Sequence, residues 1–185
     1  VTTALMNRAE PTFFLTIFSL LIATAIALPV GILSAYWRGS LFDQAATTAA
    51  MFAASVPSFW LGLLLMQFFA VKLGWFDTSG YGGPGASLGE RLHHLVLPAL
   101  ALGLISSALI TRFTRASMLD VLNDDYVRTA RSKGMSEWRV VLKHAFKNAL
   151  IPILTVLGLT AALLISGAVV TETVFGLPGV GNLVV

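Results

Sequence analysis

Four stretches of the chain contain no acidic or basic side chain, and each is at least 20 residues long: residues 11–37, 44–71, 92–111 and 148–171. A helix needs about 20 consecutive apolar residues to cross the roughly 30 Å of hydrocarbon in a bilayer. One such run is compatible with a buried core helix, but four of them leave 185 residues too little polar surface for a water-soluble domain. The pattern therefore predicts an all-α, multi-span membrane protein.

The predicted spans form one transmembrane domain over residues 1–185, with boundaries at about 12–37, 46–76, 92–111 and 149–171. The second run is longer than one crossing requires. We therefore expect that it begins as a helix along the membrane boundary and bends at Pro57, since proline breaks the helical hydrogen-bond pattern. Ser87 and Glu90 have the spacing of a capping box, which predicts the start of the helix leading into the third span.

Charge decides the orientation of these spans. Only 11% of the residues are charged, against about 25% in typical soluble domains. Residues 112–147 hold eight of the twelve Lys and Arg and four acids, a net charge of +4. The positive-inside rule places this segment in the cytoplasm, which puts residues 38–43 on the same side and residues 77–91 and both chain ends outside. The chain's net charge of +3 reflects this topology, so we expect contact with lipid and none with nucleic acid.

The cytoplasmic loop, residues 119–148, has the pattern of two short helices joined by a glycine. Residues 123–125 (NDD) offer N-cap side chains and negative charge for a helix over 126–133. Gly134 then occupies the position after the helix end, and Ser136 is placed to cap a second helix over 138–148. From these residues alone two interpretations remain open. The loop either contacts anionic lipid through its basic side chains or transmits force as a compact unit.

The same loop resembles a known family. Residues 126–134 (YVRTARSKG) and 144–152 (HAFKNALIP) are similar to the signature loop of ABC-importer permeases, in the dipeptide, oligopeptide and nickel branch. Residues 171–181 (TETVFGLPGVG) and 56–60 (VPSFW) resemble the same branch, and the similarity runs along nearly the whole chain. Residues 128–130 (RTA) stand where the general permease pattern has Glu-Ala-Ala, so the salt-bridge roles of that glutamate are not transferred to this chain.

The resemblance implies a type I importer permease fold, a MetI-like helical bundle in a bacterial or archaeal inner membrane. It implies a second homologous permease subunit, separate ATPase subunits that carry ATP and Mg²⁺, and an extracytoplasmic solute-binding protein. The transported solute would be a dipeptide or oligopeptide, with nickel or glutathione as alternatives. By matching positions, the ATPase-coupling residues would be Tyr126, Arg128, Thr129, Ala130, Arg131, Lys133, Gly134, Met135, Ser136, Glu137, Trp138 and His144.

Other functions find less support in the residues. The chain lacks a Gly-x-x-x-x-Gly-Lys-Ser/Thr phosphate loop, so we expect no bound cofactor and no enzymatic activity of its own. A secondary transporter or channel working without an ATPase is the alternative, but it would favour charged pairs within the spans, and the four runs have none. The resembled family also leads us to expect that one span precedes Val1 and another follows Val185.

Three side chains outside the loop are candidates for chemistry. His93 and His94 are adjacent, so they point about 100° apart on a helix, and an interfacial helix start is favoured over a metal site. Glu172 falls at the outer end of the fourth span. An acid there is a functional hypothesis by default, and a hydrated cap or gate-loop residue and a substrate contact both remain open. The glycines and proline of residues 176–179 predict a tightly turned or re-entrant outer segment.

Overall fold

The computed structural model describes residues 2–83 and 85–181, with side chains from residue 8 onward. The predicted outer loop 77–91 and the end of the predicted domain 1–185 thus each include residues outside this description. Every regular element in the described residues is helical: α1 (Thr2–Tyr36), α2 (Leu41–Ser55), α3 (Ser58–Leu65), a π-helix (Met66–Lys72), α4 (Leu88–Leu122), α5 (Asp125–Ser132), α6 (Glu137–Arg139), a second π-helix (Val140–Ala145) and α7 (Phe146–Val174).

Three helical stretches of the described chain are long and apolar enough to cross a membrane: Arg8–Tyr36, Leu88–Leu122 and Glu137–Val174. A fourth crossing is possible if α2 and the stretch Ser58–Lys72 are taken as one span, although their axes are bent by 99°. These helices contain the four apolar runs of the sequence, and the charged ends of α1, α4 and α7 extend beyond those runs.

The bend in the second run lies at the predicted proline. Val56 has φ −86° and ψ 127°, and Pro57 has φ −64° and ψ 137°. Both are extended, because the proline ring disfavours the helical conformation of the preceding residue and removes a backbone donor. The helix before the bend begins at Leu41, earlier than the predicted boundary at residue 46. The earlier start follows from Ser40, whose side chain accepts a hydrogen bond from the Asp43 amide at 3.2 Å.

The core of the bundle is the contact between α1 and α4. A Cβ added at Gly103 would lie 2.9 Å from Ile22 Cγ2, and one added at Gly31 would lie 2.7 Å from Thr114 Cβ. The two contacts also show that the helices run parallel, because residue numbers increase together along both. Small residues at such crossings let helix backbones approach closely inside a membrane, where packing replaces the hydrophobic effect as the driving force. Helix α7 completes this core with Leu164.

The second helix of the cytoplasmic loop differs from the prediction. It begins at Glu137, one residue before the expected start, and does not end at residue 148. It continues through the π-helix Val140–Ala145 into α7, so that Glu137–Val174 is one helical stretch of 38 residues. No glycine or proline interrupts the segment before Pro152, and buried Val140 and Ala145 fix the π-helical turn against the bundle. The loop is therefore directly joined to a spanning helix.

Candidate coupling site

The turn after α5 is a Schellman motif, which ends a helix with a left-handed glycine. Gly134 has φ +74°, its amide donates to the Arg131 carbonyl at 2.9 Å, and the Met135 amide donates to the Ala130 carbonyl at 3.4 Å. These bonds satisfy carbonyl groups that the end of a helix leaves without partners. The glycine turn predicted from the sequence is present, and it reverses the chain between α5 and α6.

Helix α5 is amphipathic, and its apolar face is covered by the protein. Val127 and Ala130 are buried in a cluster with Val140, which belongs to the second π-helix. Val121, Leu122 and Met135 pack against the same cluster. The opposite face of α5, which carries Arg128 and Thr129, is exposed. The loop is therefore held on the end of α4, with its polar face free.

Polar contacts brace α5 against the helix that follows it. Asn148 Nδ2 donates to the Tyr126 hydroxyl at 2.7 Å, and that hydroxyl donates to the His144 carbonyl at 3.4 Å. Arg131 Nε donates to Glu137 Oε1 at 3.0 Å across the glycine turn. Exposed ion pairs contribute little energy by themselves, but these contacts close the loop at both ends of α5. The two arms of the loop are thereby linked side chain to side chain.

The loop also contacts the cytoplasmic end of α1. The rings of Tyr36 and Trp138 are stacked, with centroids 5.4 Å apart and planes at 23°. Below them, Val141 of the second π-helix is buried in a cluster with Ile32 of α1 and Met118 of α4. Aromatic pairs in this arrangement contribute about 0.5 to 1.5 kcal/mol beyond their buried area. The loop therefore contacts α1 and α4 as well as α7.

The twelve predicted coupling residues are brought together in this loop but differ in exposure. The exposed members are Tyr126, Arg128, Thr129, Arg131, Lys133, Gly134, Ser136, Glu137 and Trp138. Ala130 is buried and Met135 is half-buried, so both support the loop from inside. His144 is also half-buried, and its Nε2 has no hydrogen-bond partner in the part of the chain described here. The role of this set in ATPase coupling stays a prediction.

A buried ion pair lies beside the loop, at the junction of α1, α2 and α4. Arg115 binds both carboxylate oxygens of Asp43, with its terminal nitrogen 2.7 Å from Oδ2. The same carboxylate accepts hydrogen bonds from the Ser34 hydroxyl and from the Gly39 amide at 2.9 Å. The sequence interpretation treated residues 38–43 only as a short loop and missed this site. The signal that was available is the spacing of Ser40 and Asp43, a helix-start pattern like that at residue 87.

At the other end of α7, Glu172 is buried, so the interpretation of a hydrated cap is wrong. It accepts hydrogen bonds from the Thr12 hydroxyl and from the Gly181 amide, the latter at 2.9 Å. A Cβ added at Gly179 would overlap the carboxyl group, and Gly176 has φ +59°. Residues 176–181 therefore fold back tightly over the end of α7, as the glycines predicted, because Glu172 and Thr12 hold their backbone.

A second polar cluster joins α1 to the outer loop. Arg91 is 2.7 Å from Glu10 Oε1, and the Tyr81 hydroxyl donates to the same oxygen at 3.4 Å. Burial and the neighbouring Glu10 carboxylate raise the pKa of Tyr81 to about 12. Tyr81 therefore remains a hydrogen-bond donor throughout the physiological pH range.

The adjacent histidines face different partners. His93 stacks on Phe76, with centroids 4.8 Å apart, and His94 Nε2 lies 3.5 Å from Asp77 Oδ2. Within the described residues no three His, Cys, Asp or Glu side chains are grouped so that they could hold a metal ion. Both histidines lie in the first turns of α4, which begins at Leu88 as the capping-box spacing predicted; their position at the membrane interface stays a prediction.

The architecture is that of an ABC-importer permease. A methionine ABC transporter in an inward-facing conformation superposes on this chain with a TM-score of 0.77 at 19% sequence identity, covering 97% of this chain and 77% of its own. At this identity the likeness establishes the fold.

The family is shown by sequence. Residues 27–185 match the family model described as the binding-protein-dependent transport system inner membrane component, and the chain belongs to that family. It is 45% identical over 185 residues to a glutathione transport system permease protein of Pectobacterium atrosepticum, covering all of this chain and 58% of the relative. It is 42% identical over 187 residues to an oligopeptide transport system permease protein of Bacillus subtilis, covering 59% of that relative. The chain thus spans less than two thirds of these curated relatives.

Proposed function

We propose that this chain is part of the membrane subunit of an ATP-driven importer in the bacterial or archaeal inner membrane. In this role it forms one side of the translocation pathway, beside a second homologous permease subunit. Separate ATPase subunits bind ATP and Mg²⁺ in the cytoplasm, and an extracytoplasmic solute-binding protein delivers the solute. The family membership supports the transport role, and the basic loop supports the side of the membrane on which the ATPase binds.

The observation that carries the proposal is the set of contacts that holds the loop on the bundle. A Schellman turn, an apolar cluster and side-chain hydrogen bonds fix α5 against the helical stretch Glu137–Val174. A loop that only contacted lipid headgroups would need none of these constraints. The exposed face with Arg128 and Thr129 forms the docking surface for the ATPase, because it is the face of α5 that the rest of the chain leaves free. Ala130 and Met135 hold that surface in position from beneath.

The transported solute is a peptide or a peptide-like molecule such as glutathione. The named relatives transport glutathione and oligopeptides, and the similarity to them covers this whole chain. Both solutes share amide bonds and terminal carboxylates. A nickel ion does not share this chemistry, so we favour the peptide class over nickel.

The test of ATPase docking is charge reversal on the exposed face of α5. Arg128→Glu in the full-length permease, co-expressed with its partner subunits, is expected to reduce co-purification of the ATPase and ATP-driven uptake by about tenfold or more. The physical reason is that the reversed charge meets a surface complementary to a cation. The matched control is Lys72→Glu, another exposed cation, at the end of α3's π-helical extension on the outer side. Undiminished ATPase binding and uptake in the Arg128 variant would contradict the docking role of this face.

A further inference from the structure

A groove of about 310 Å³ opens between the α2–α3 bend, α4 and α7. We refer to it as the Arg112 groove. Its polar lining residues come from three different elements: Ser58 from α3, Ser106 and Arg112 from α4, and Thr160 from α7. The remaining lining is apolar or small and includes Leu109 and Gly167. Polar groups thus converge on one groove from three separate elements of the bundle.

These polar groups are not used by the fold. The hydroxyls of Ser58 and Ser106 have no hydrogen-bond partner within residues 8–83 and 85–181, and Arg112 has no acidic partner there within 4.0 Å. Thr160 donates to the Val156 carbonyl at 2.8 Å, which leaves the lone pairs of its oxygen available as acceptors. By contrast, Arg115, three residues further along α4, binds both carboxylate oxygens of Asp43.

A second cavity on the same bundle differs from the Arg112 groove in the chemistry of its lining. It measures about 410 Å³ and lies between α1, α2, α3 and α4, where its walls include Ile26, Phe52 and Trp60. Its hydroxyl-bearing residues are Ser107 and Thr111, and it has no charged lining residue among those described. Such a cavity suits an apolar chain. The smaller Arg112 groove has the hydrogen-bonding groups that a hydrated, charged solute requires.

The break between α2 and α3 lies at the edge of this groove, and its extended residue Val56 lines the apolar cavity instead. Ala54 and Ser58, on the two sides of the extended residues Val56 and Pro57, both line the Arg112 groove. Non-helical backbone at membrane depth is tolerated only where protein covers it or where it lines a water-containing cavity. Discontinuous helices also supply solute sites in other transporters, because their unpaired backbone groups are available to the solute. The contribution of the bend to this groove is therefore the position of Ser58, which lies directly after it and lines the groove.

We propose that the Arg112 groove is the part of this chain that contacts the transported solute, with Arg112 binding a carboxylate. Ser58, Ser106 and Thr160 provide hydrogen bonds to the peptide groups. This inference rests on the proposed transport function and assigns it to particular residues. The competing explanation is that Arg112 is only a boundary cation that orients α4. That explanation accounts for the charge, but not for the free hydroxyls of Ser58 and Ser106 that line the same groove.

Thiol labelling tests whether the groove is a solute pathway. The chain contains no cysteine, so Ser58→Cys, Ser106→Cys and Thr160→Cys each create a single thiol within it, with any cysteine in the remaining full-length subunit replaced. In the assembled transporter, a hydrophilic, charged maleimide is expected to label these three positions. Tri-alanine and S-methylglutathione, which carry no thiol, are expected to slow labelling at least threefold. The control is Leu21→Cys on the exposed side of α1. This position lies in the middle of an apolar run, where a charged reagent in water does not reach it, so it should label poorly and show no protection.

Kinetics test the role of Arg112. Arg112→Gln is expected to raise the KM for uptake of tri-alanine about tenfold, since one charge-assisted hydrogen bond to the carboxylate is lost. Arg112→Lys keeps the charge and is expected to recover most of this loss. If the Arg112→Gln complex assembles poorly but keeps the KM of the unmodified complex, Arg112 serves only to orient α4 in the membrane. That result would overturn its role in binding the solute.

The outcomes separate this inference from the function on which it rests. If the unmodified complex shows no ATP-driven uptake of either probe, the proposed function fails. If it transports them but the groove thiols label no faster than the Leu21→Cys control, only the assignment of the groove fails. Labelling without protection by either probe would also overturn it, because the groove would then be hydrated without holding the solute.

Discussion

Asp43 shows how much a single side chain connects at the cytoplasmic side of this bundle. Its two oxygens accept hydrogen bonds from α1, from the turn at Gly39 and from Arg115 of α4. Its backbone amide donates to the side chain of Ser40, which caps the start of α2. The side chain of Asp43 is 5% exposed and that of Arg115 is 28% exposed, so loss of either charge leaves the other with little water to replace it.

Asp43→Asn is expected to destabilise the permease by about 2 to 4 kcal/mol, because Arg115 then keeps a poorly hydrated, unpaired charge. The measurement is the midpoint of thermal unfolding in detergent. Asp125→Asn serves as the control, because its contact with Arg128 is 3.6 Å long and its side chain is 98% exposed, and a change below about 1 kcal/mol is expected. Equal effects of the two substitutions would contradict the assignment of Asp43 as a structural clamp.

Local rules predicted some residues well and others not at all. Ser87 forms the predicted capping box, accepting from the Glu90 amide at 3.3 Å while its own amide donates to Glu90 at 2.8 Å. Gly134 likewise has the predicted left-handed turn. Both depend on neighbours within three or four positions. Glu172 and Thr12, in contrast, lie 160 positions apart. No local pattern shows that the helix ends carrying them meet, so their pairing could not be read from the sequence.

At the scale of elements, the apolar runs predicted the helices, and tertiary packing decided where they continue. The hydrophobic pattern of an α-helix, with its period of 3.6 residues, does not predict the π-helical turns at Met66–Lys72 and Val140–Ala145. Such turns widen the helix by local rearrangement and are stabilised by what surrounds them. The bend at Pro57 was predictable because proline imposes it within the chain itself. The junction of the loop with α7 was not, because buried neighbours from other helices determine it.

Helix α4 depends on close contact with α1, and Gly103 tests that contact. Gly103→Ala is expected to destabilise the bundle by about 1 to 3 kcal/mol, since the added methyl group overlaps Ile22 and the Ser19 carbonyl of α1. Thermal unfolding of the purified permease measures the change. Gly158→Ala in α7 has nothing within 4 Å of the added Cβ and should be neutral or slightly stabilising, because alanine favours a helix over glycine. If Gly103→Ala were neutral as well, the α1–α4 contact would be looser than described.

For the whole molecule, the positions of the charged residues delimit the four apolar runs and predict the side of the membrane on which each loop lies. The bundle is compatible with that topology, since the outer loop contacts the end of α7 through the Gly80 amide and the Phe175 carbonyl, 3.0 Å apart. The loop of residues 119–148 lies at the opposite ends of α1 and α4. What composition could not predict is the Arg112 groove, because its lining combines single residues from distant helices.

The orientation is tested by labelling thiols from one side of the membrane. Thr78 in the outer loop and Ser132 in the loop of residues 119–148 are both exposed, and each is replaced by cysteine. In intact spheroplasts a membrane-impermeant maleimide is expected to label Thr78→Cys, and in inside-out vesicles it is expected to label Ser132→Cys. The reverse pattern would contradict the assigned orientation. Labelling of both from one side would contradict the number of crossings.

The helical stretch from Glu137 to Val174 has a mechanical consequence. With 38 residues and a rise of about 1.5 Å per residue, it is roughly 55 Å long and joins the loop to the opposite end of the bundle without a non-helical break. One end carries the loop of residues 119–148, and the other carries Glu172, which holds residues 176–181. A tilt of about 5° imposed at the loop displaces the far end by several ångströms. That is enough to break a hydrogen bond of 2.9 Å. If the loop binds an ATPase as proposed, we therefore expect ATPase motion to reach residues 176–181 through this one helical stretch.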